Sequence, residues 1–461
     1  MRQFRADLHI HSRYSRATSK KLTLPLLAAW AKAKGIDVLA TGDITHPGWR
    51  DEIGKTLEFE DNTGLYRLKK EIRLSKELPQ FAERMSPPDP RFILQGEISS
   101  IYKRGGKVRK VHNLVFFPDM DAAEHFSTRL AQVGNLNSDG RPILGLDCRD
   151  LLAMVLETHP DAFLIPAHIW TPWFSLFGSK SGFDTLEECF GDLSPEIFAL
   201  ETGLSSDPAM NWTWSALDKY TLVSNSDAHS GENLAREANL FSGEATYKGI
   251  LASLRKQNNA GCKFEGTIEF FPEEGKYHAD GHRKCDVSLN PKEARELGGI
   301  CPVCGKPLTE GVASRILALA DRDEPVQPEN AAGYHSLIPL PEILGEIAGC
   351  GAKSQKVARQ HASLILRYGS ELSVLMDTPA SELSHFSAPL GEAISRMRAG
   401  RVIRMPGYDG EYGEIKLFKP EELAEMHHGG RLLPRLALDK KAVREARSTS
   451  PSHFSKEHRK I

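Results

Sequence analysis

Asp7-Leu8-His9-Ile10-His11-Ser12 stands near the start of the chain, and its reading decides the fold. On an extended segment, side chains alternate with period two, so His9 and His11 share one face. Two imidazoles on one face of an apolar strand form a chelate for a divalent transition metal. The plain alternative is a half-buried strand with hydrogen-bonded histidines. Working outward, residues 4–10 predict a strand and 24–34 a helix, with Pro25 early, where a missing N–H is harmless. Gly35 ends that helix, and 36–40 is the next strand. Short apolar runs recur at 92–94, 111–117, 163–166, 197–200 and 221–224, with helical stretches such as 150–156 between some of them. Short apolar strands alternating with helices predict an α/β fold with a parallel sheet or barrel. Polar residues follow several runs: Asp43, Glu97, His168, Glu201 and Asp227. Barrels of this kind keep their sites there.

The candidate ligands continue along the chain. Asp43 and His46 lie in Ala40-Thr41-Gly42-Asp43-Ile44-Thr45-His46, and Glu97 in Leu94-Gln95-Gly96-Glu97. His112 lies in Lys110-Val111-His112-Asn113, His168 in Ile165-Pro166-Ala167-His168, and Asp227 and His229 in Asn225-Ser226-Asp227-Ala228-His229. Brought together, these side chains would bind two or three divalent ions (Zn, Mg or Mn), with Glu97 able to bridge two. Such sites activate water and stabilise the leaving oxygen in phosphoryl transfer. For any single histidine the alternative is a satisfied polar residue of the core.

Composition narrows the function classes. A chain of 461 residues predicts two or three domains. A formal net charge of -2 gives no global bias toward nucleic acid, so any basic surface is local. No apolar run reaches the roughly 18 residues of a membrane span, and the charged N-terminus lacks the apolar stretch of a secretory signal. Seven cysteines, two of them in a Cys-x-x-Cys pair, favour a reducing, cytoplasmic setting with a metal site.

Over residues 4–255 these motifs resemble the PHP (polymerase and histidinol phosphatase) superfamily. The resemblance implies a distorted (β/α)7 barrel with a trinuclear site. By that analogy His9, His11, Glu97 and Asp227 hold one ion, Glu97, His112 and His168 a second, and His229 joins a third. Phosphatase members carry a histidine where this chain has Ala17, and Thr-Asp-His where it has Gly42-Asp43-Ile44-Thr45-His46. The third site therefore rests on Asp43, with His46 as the alternative. A tighter resemblance extends to about Phe418. Gly96-Glu97-Ile98-Ser99-Ser100-Ile101-Tyr102, Lys107-Val108-Arg109-Lys110-Val111-His112-Asn113, Ala167-His168-Ile169-Trp170-Thr171-Pro172-Trp173-Phe174 and Glu201-Thr202-Gly203-Leu204-Ser205-Ser206-Asp207-Pro208 look like endonuclease Q. That family implies a repair endonuclease acting through a metal-activated hydroxide. It nicks DNA 5′ to deaminated bases (uracil, hypoxanthine, xanthine) and abasic sites, leaving 3′-hydroxyl and 5′-phosphate. Asp227 and Glu97 are the expected catalytic residues.

His282-Arg283-Lys284-Cys285 and Cys301-Pro302-Val303-Cys304 form two knuckles that suit one structural zinc. Cys285, Cys301 and Cys304 are three ligands; His282 is the fourth, with His278 as the alternative. Cys148, Cys189 and Cys350 read as core thiols. A basic hairpin carrying Lys103, Arg104, Lys107, Arg109 and Lys110 precedes His112 and suits a polyanionic backbone. Gly349, Gly351, Lys353 and Ser354 lie in a helix-hairpin-helix-like turn that offers N–H groups to a phosphate. Either could instead be an ordinary solvated turn. The aromatics Trp170, Trp173, Phe174 and Phe177 could wall a pocket for a flipped base or simply pack a loop.

The expected organisation is a metal-dependent phosphoesterase barrel over 1–257 with an insertion at 49–90 and a zinc module over 258–312. A helical DNA-binding domain over 313–418 and a mobile basic tail over 419–461 complete it. Damaged DNA is the expected partner of a monomer, with a sliding clamp or another repair protein as a further partner that no motif specifies. One rival is a PHP-type small-molecule phosphatase, for which the hairpin, zinc knuckles and helical region have no use. The other is a non-catalytic DNA-binding or proofreading-partner module, at odds with a full ligand set. The absence of Gly-x-x-x-x-Gly-Lys-Ser/Thr excludes a helicase reading.

Overall fold

The structure, a computed structural model, describes residues 2–70, 72, 89–257 and 261–428. Its first strands are β1 (Gln3–Asp7), β2 (Val38–Ala40), β3 (Leu57–Glu60), β4 (Leu65–Leu68), β5 (Arg91–Arg104), β6 (Lys107–Phe117), β7 (Ile143–Leu144) and β8 (Phe163–Pro166). Then come β9 (Ala199–Glu201), β10 (Thr221–Val223), β11 (Ala238–Gly243), β12 (Cys262–Glu269), β13 (Asp280–His282), β14 (Val287–Leu289) and β15 (Gly333–Ser336). Eleven strands form one mixed sheet in the order β15-β12-β11-β1-β2-β5-β4-β3, with β6 and β7 also on β5 and β8 on β6. The pairs β1–β2 and β2–β5 are parallel, whereas β5–β6, β6–β8 and β1–β11 are antiparallel. The strands β9 and β10 form a separate parallel pair. Among the described residues the hydrogen-bonded path does not close into a barrel. The result is a mixed α/β fold.

Local chemistry explains the elements that position the site. The helix Leu24–Lys34 forms as expected and ends at Gly35, whose φ of 93° suits a residue without Cβ. Gly35 also has no room for one: an added Cβ would lie 2.4 Å from Ser370 Oγ. The β5–β6 hairpin turns on Gly105 and Gly106, both at positive φ, as a two-residue turn between twisted strands requires. Its register sets Glu97 opposite Leu114 and Ser99 opposite His112. Glu97 and His112 are therefore diagonal neighbours on one face. Phe116 stacks on Phe163 at 4.4 Å and Phe4 on Phe241 at 5.1 Å, sealing the core around the strands.

Several expectations change. The first strand stops at Asp7, so His9 and His11 lie just beyond it. The expected run 92–94 grows into the fourteen-residue β5 because β6 pairs along its length. Part of the expected insertion belongs to the fold: the helix Pro47–Thr56 buries Trp49, and β3–β4 extend the sheet beside β5. Residues 71 and 73–88 of that segment lie outside the described residues. The boundary expected at 257 falls inside the sheet, since β12 pairs with β11 and β15 with β12. The expected tail opens with the helix Pro420–His428, tied down where Arg396 pairs with Glu422 at 2.7 Å. The remainder, 429–461, lies outside the described residues.

Candidate metal centre

The His9–His11 segment is clamped against the segment after β10. Leu8 N–H donates to Asn225 Oδ1 at 2.8 Å, and Ile10 bridges Ala228. Each ring is then fixed by a buried carboxylate. His9 Nδ1 donates to Glu201 at 3.1 Å, and His11 Nδ1 donates to Asp43 Oδ1 at 3.1 Å. Both rings thus present Nε2 inward. Asp227 Oδ1 stands 3.6 Å from His9 Nε2 and 3.0 Å from His11 Nε2. None of these three buried atoms has a hydrogen-bond partner of proper geometry. Orphaned buried polar atoms are rare in native folds, and here three converge.

Glu97 joins this group to a second. Its Oε2 lies 3.2 Å from His11 Nε2 and 3.7 Å from His9 Nε2. Its Oε1 lies 2.7 Å from His112 Nδ1 and 3.2 Å from His168 Nε2. Within His9, His11 and Asp227, and within Glu97, His112 and His168, one ligand atom per residue falls inside 4.8 Å of the others. Borderline nitrogen and oxygen donors in that spacing suit divalent transition metals. The residues present therefore fit two divalent ions, with Glu97 between them.

The backbone reaches this arrangement through left-handed conformations uncommon for non-glycine residues. Asp43 has φ 46°, His168 φ 32° and Asp227 φ 45°. Such residues cluster at functional sites. The groups are strongly coupled by charge: burial works to lower His9 and His11, but Glu201 and Asp227 raise His9 to about 10, and Asp227 and Asp43 hold His11 well above its ordinary value. Burial opposes ionisation of Glu97, but His112 and Arg141 hold its carboxyl well below the usual range. Asp227 is lowered in the same way by His9 and His11. Burial pushes His112 down to about 4, against the pull of Glu97, so its imidazole is neutral at pH 7.

The third-site candidates are not brought into these groups. Asp43 is spent on His11 Nδ1, on the N–H and hydroxyl of Ser12 and on the Ser15 hydroxyl. His46 Nε2 contacts Asn137 O at 3.2 Å, and its ring packs on Tyr14. His229 stays at the rim, its ring 4.5 Å from that of His11 and its Nδ1 2.9 Å from Asp227 O. Two residues absent from the expected site set stand in it. Glu201, read only as a polar residue after a strand, holds His9 and also accepts from His168 N–H and Asn225 Nδ2 at 2.8 Å each. Arg141 places Nη1 3.0 Å from Glu97 Oε2. No apolar run precedes Arg141, so strand-end reasoning could not find it.

The second expected metal group also assembles: His282, Cys285, Cys301 and Cys304 converge, with Cys304 Sγ 3.5 Å from His282 Nδ1. His278 instead faces Ser205 O at 3.3 Å. Of the hairpin cations, Arg104 is anchored on Cys189 O and Asp147, and Arg109 on Gly182 O. Lys103 and Lys107 are exposed, and Lys110 lies over the Phe174 ring. Of the aromatics, Trp170 and Phe177 are buried core, whereas Trp173 is exposed and Phe174 packs 4.8 Å from His112. Gly349 caps the helix Leu340–Ala348 and Ser354 opens the helix Gln355–Tyr368, so two helices flank the turn expected to be helix-hairpin-helix-like. Cys148 and Cys189 are buried as core thiols, and Cys350 is half-buried beside Ser354.

Comparison with known proteins bears on this geometry. The chain is similar to the lesion-specific endonuclease PfuEndoQ from Pyrococcus furiosus, with 32% identity and a TM-score of 0.78 over 92% of this chain and 97% of that one. The chain belongs to the endonuclease Q family. A second structure from the family, endonuclease Q with a 27-mer duplex substrate and an abasic lesion at its active site, matches with the same identity and TM-score over 92% of this chain and 98% of that one. The family model for the MJ0043 C-terminal domain matches residues 339–401, which include the helices Leu340–Ala348 and Gln355–Tyr368 and the turn between them. The uncharacterized protein MJ0043 of Methanocaldococcus jannaschii is 33% identical over 290 residues, 61% of this chain. That match spans 36% of the relative's own length.

Proposed function

We propose that this protein is a metal-dependent DNA repair endonuclease. It hydrolyses the phosphodiester 5′ to deaminated bases (uracil, hypoxanthine, xanthine) and to abasic sites. The observation that carries the reading is the pair of donor groups joined by Glu97, with unpartnered His9 Nε2, His11 Nε2 and Asp227 Oδ1 between them. The family's lesion-specific member and its abasic-duplex complex support the substrate class. A (β/α)7 PHP-type arrangement of residues 4–255 is part of the same reading, supported by the parallel pairs β1–β2, β2–β5 and β9–β10.

Divalent ions at the two groups, when bound, supply an activated water and neutralise charge on the phosphate. The chain's residues provide the rest. Glu201 and Asp43 fix the tautomers of His9 and His11, so that each Nε2 faces inward. Asp227, partly exposed at the mouth, sets a negative field beside the attacking water. The P–O3′ bond breaks as the water oxygen bonds to phosphorus, and a proton passes to the departing O3′. The products are a 3′-hydroxyl and a 5′-phosphate.

Around the site, Lys103 and Lys107 track the DNA backbone, with Lys110 beside them. Gly349, Gly351, Lys353 and Ser354 hold a phosphate at the start of the helix Gln355–Tyr368. His282, Cys285, Cys301 and Cys304 bind one structural zinc. The test offers three kinds of substrate: duplexes carrying one uracil, inosine or abasic site, the same duplex undamaged, and a generic phosphomonoester. Nicking confined to the damaged duplexes supports the reading. Rapid phosphomonoester turnover without nicking contradicts it and favours the small-molecule phosphatase.

A further inference from the structure

The guanidinium of Arg141 is a cation aimed into the metal centre that the hydrolytic scheme above does not use. Its Nη1 contacts Glu97 Oε2 at 3.0 Å; Glu97 is fully buried, whereas about 26% of the Arg141 side chain is exposed. The group therefore bridges the buried carboxylate and the open mouth. Among the described residues Nη1 has this one acceptor, and no hydrogen-bond partner is found for Nε or Nη2. Arg236 is committed to the backbone, donating to the oxygens of Ser226 and Asp227.

The segment carrying Arg141 is pinned from several sides. Gly140 N–H donates to Tyr14 O, and Ser99 N–H to Pro142 O, both at 3.0 Å. Asp139 Oδ1 accepts from the N–H groups of Arg16 and Arg141. Gly140 sits so close to the His11 support that an added Cβ would lie 2.2 Å from Asp43 Oδ2 and 2.6 Å from Ser15 Oγ. The space beyond Asp43 is thus filled by backbone, and the next side chain along is delivered to Glu97 in a fixed direction.

We propose that Arg141 is a catalytic residue that grips a non-bridging oxygen of the scissile phosphodiester. This rests on the hydrolytic reading above. An arginine suits the task because its planar fork offers several donors to phosphate and stays charged at every working pH. With one nitrogen on Glu97 and part of its side chain open to solvent, it can hold the phosphate beside the donor groups. It can also meet the charge that grows on the phosphate oxygens in the transition state.

The test compares wild type with Arg141→Gln and Arg141→Lys in the full chain, each first checked for an unchanged thermal transition. Three quantities are read: the single-turnover nicking rate on an abasic duplex, Mn²⁺ affinity by calorimetry, and the rate penalty for each phosphorothioate diastereomer at the scissile phosphate. The expected result for Arg141→Gln is a nicking rate lower by about 100-fold, in the range for loss of one transition-state donor. Mn²⁺ binding should be as tight as in wild type or tighter, since a competing cation beside Glu97 is gone. The sulfur penalty should shrink for one diastereomer alone. Arg141→Lys should recover part of the rate, since it keeps the charge without the fork. A rate within twofold of wild type overturns the proposal. So does a loss that comes with weaker Mn²⁺ binding and disappears at saturating Mn²⁺, because Arg141 would then serve only to place Glu97. Wild type that fails to nick contradicts the endonuclease reading itself, and the substrate named here with it.

Discussion

Both carboxylate oxygens of Glu201 lie 3.1 Å from His9 Nδ1. That contact decides which nitrogen of His9 carries the proton, and so which lone pair faces Asp227 and Glu97. Loss of such a support typically costs 10–100-fold in metal affinity or activity. Glu201→Ala should therefore weaken Mn²⁺ binding by roughly 10–100-fold and lower nicking at limiting metal, with substantial recovery at saturating metal. Calorimetric titration alongside nicking assays checks this. Unchanged Mn²⁺ affinity would mean that Glu201 is only a packed core acid.

Lys103 and Lys107 flank the tight Gly105-Gly106 turn and are exposed, unlike Arg104 and Arg109, which are tied to neighbouring carbonyls. Each lysine that neutralises a phosphate contributes about 0.9 to the slope of log affinity against log salt on duplex DNA. The double variant Lys103→Ala/Lys107→Ala should flatten that slope by up to about 1.8 while leaving Mn²⁺ affinity unchanged. Fluorescence anisotropy over a salt series gives the number. An unaltered slope would remove the hairpin from the DNA interface.

Glu371 ties the first helix to the C-terminal helices through Lys34 Nζ and His361 Nε2, each 2.8 Å from its Oε2. Burial works against ionisation of Glu371, yet Lys34 and His361 outweigh it and hold the pKa at about 2, below the ordinary 4.5. The sign follows from linkage. This stabilisation is complete above about pH 4.5 and is lost as pH falls toward 2. Glu371→Gln leaves the Lys34 ammonium buried without its counter-charge, which should cost about 3–5 kcal/mol. Urea unfolding at neutral pH measures the loss, and the variant should show a weaker acid dependence than wild type. Equal stability of the two proteins would contradict the assignment.

Much of the candidate site was legible in the sequence because its ligands sit in or just after short apolar runs, although Glu97 and His112 stand within β5 and β6 rather than at strand ends. Glu97, His168 and Asp227 follow such runs, His9 and His11 were read from their period-two spacing, and His112 opens the run 111–117; the six come together as two donor groups. The zinc knuckles were legible for a simpler reason, since their spacing is local. What escaped depends on contacts distant in sequence. Asp43 was expected to bind an ion, and its oxygens meet two serines and His11, contacts that no local pattern announces. Arg141 lies in a loop without periodicity, held by contacts to Tyr14, Ser99 and Asp139 and by close packing of Gly140 against Asp43 and Ser15. The strands β1, β2, β6, β8, β9 and β10 and part of β5 were readable as short apolar runs. The continuation of the sheet through β12 and β15 was not, because cysteines and glycines nearby drew the segment toward the zinc module.

The most direct measurement of the central claim is a denaturing-gel assay of an end-labelled duplex with one abasic site, comparing wild type with Asp227→Ala in Mn²⁺. The account predicts a single cut by wild type on the 5′ side of the lesion, with a ligatable 3′-hydroxyl and a 5′-phosphate. It predicts no cut by Asp227→Ala, with duplex affinity retained. Cleavage by Asp227→Ala at near the wild-type rate would contradict the metal centre described here as the seat of the reaction.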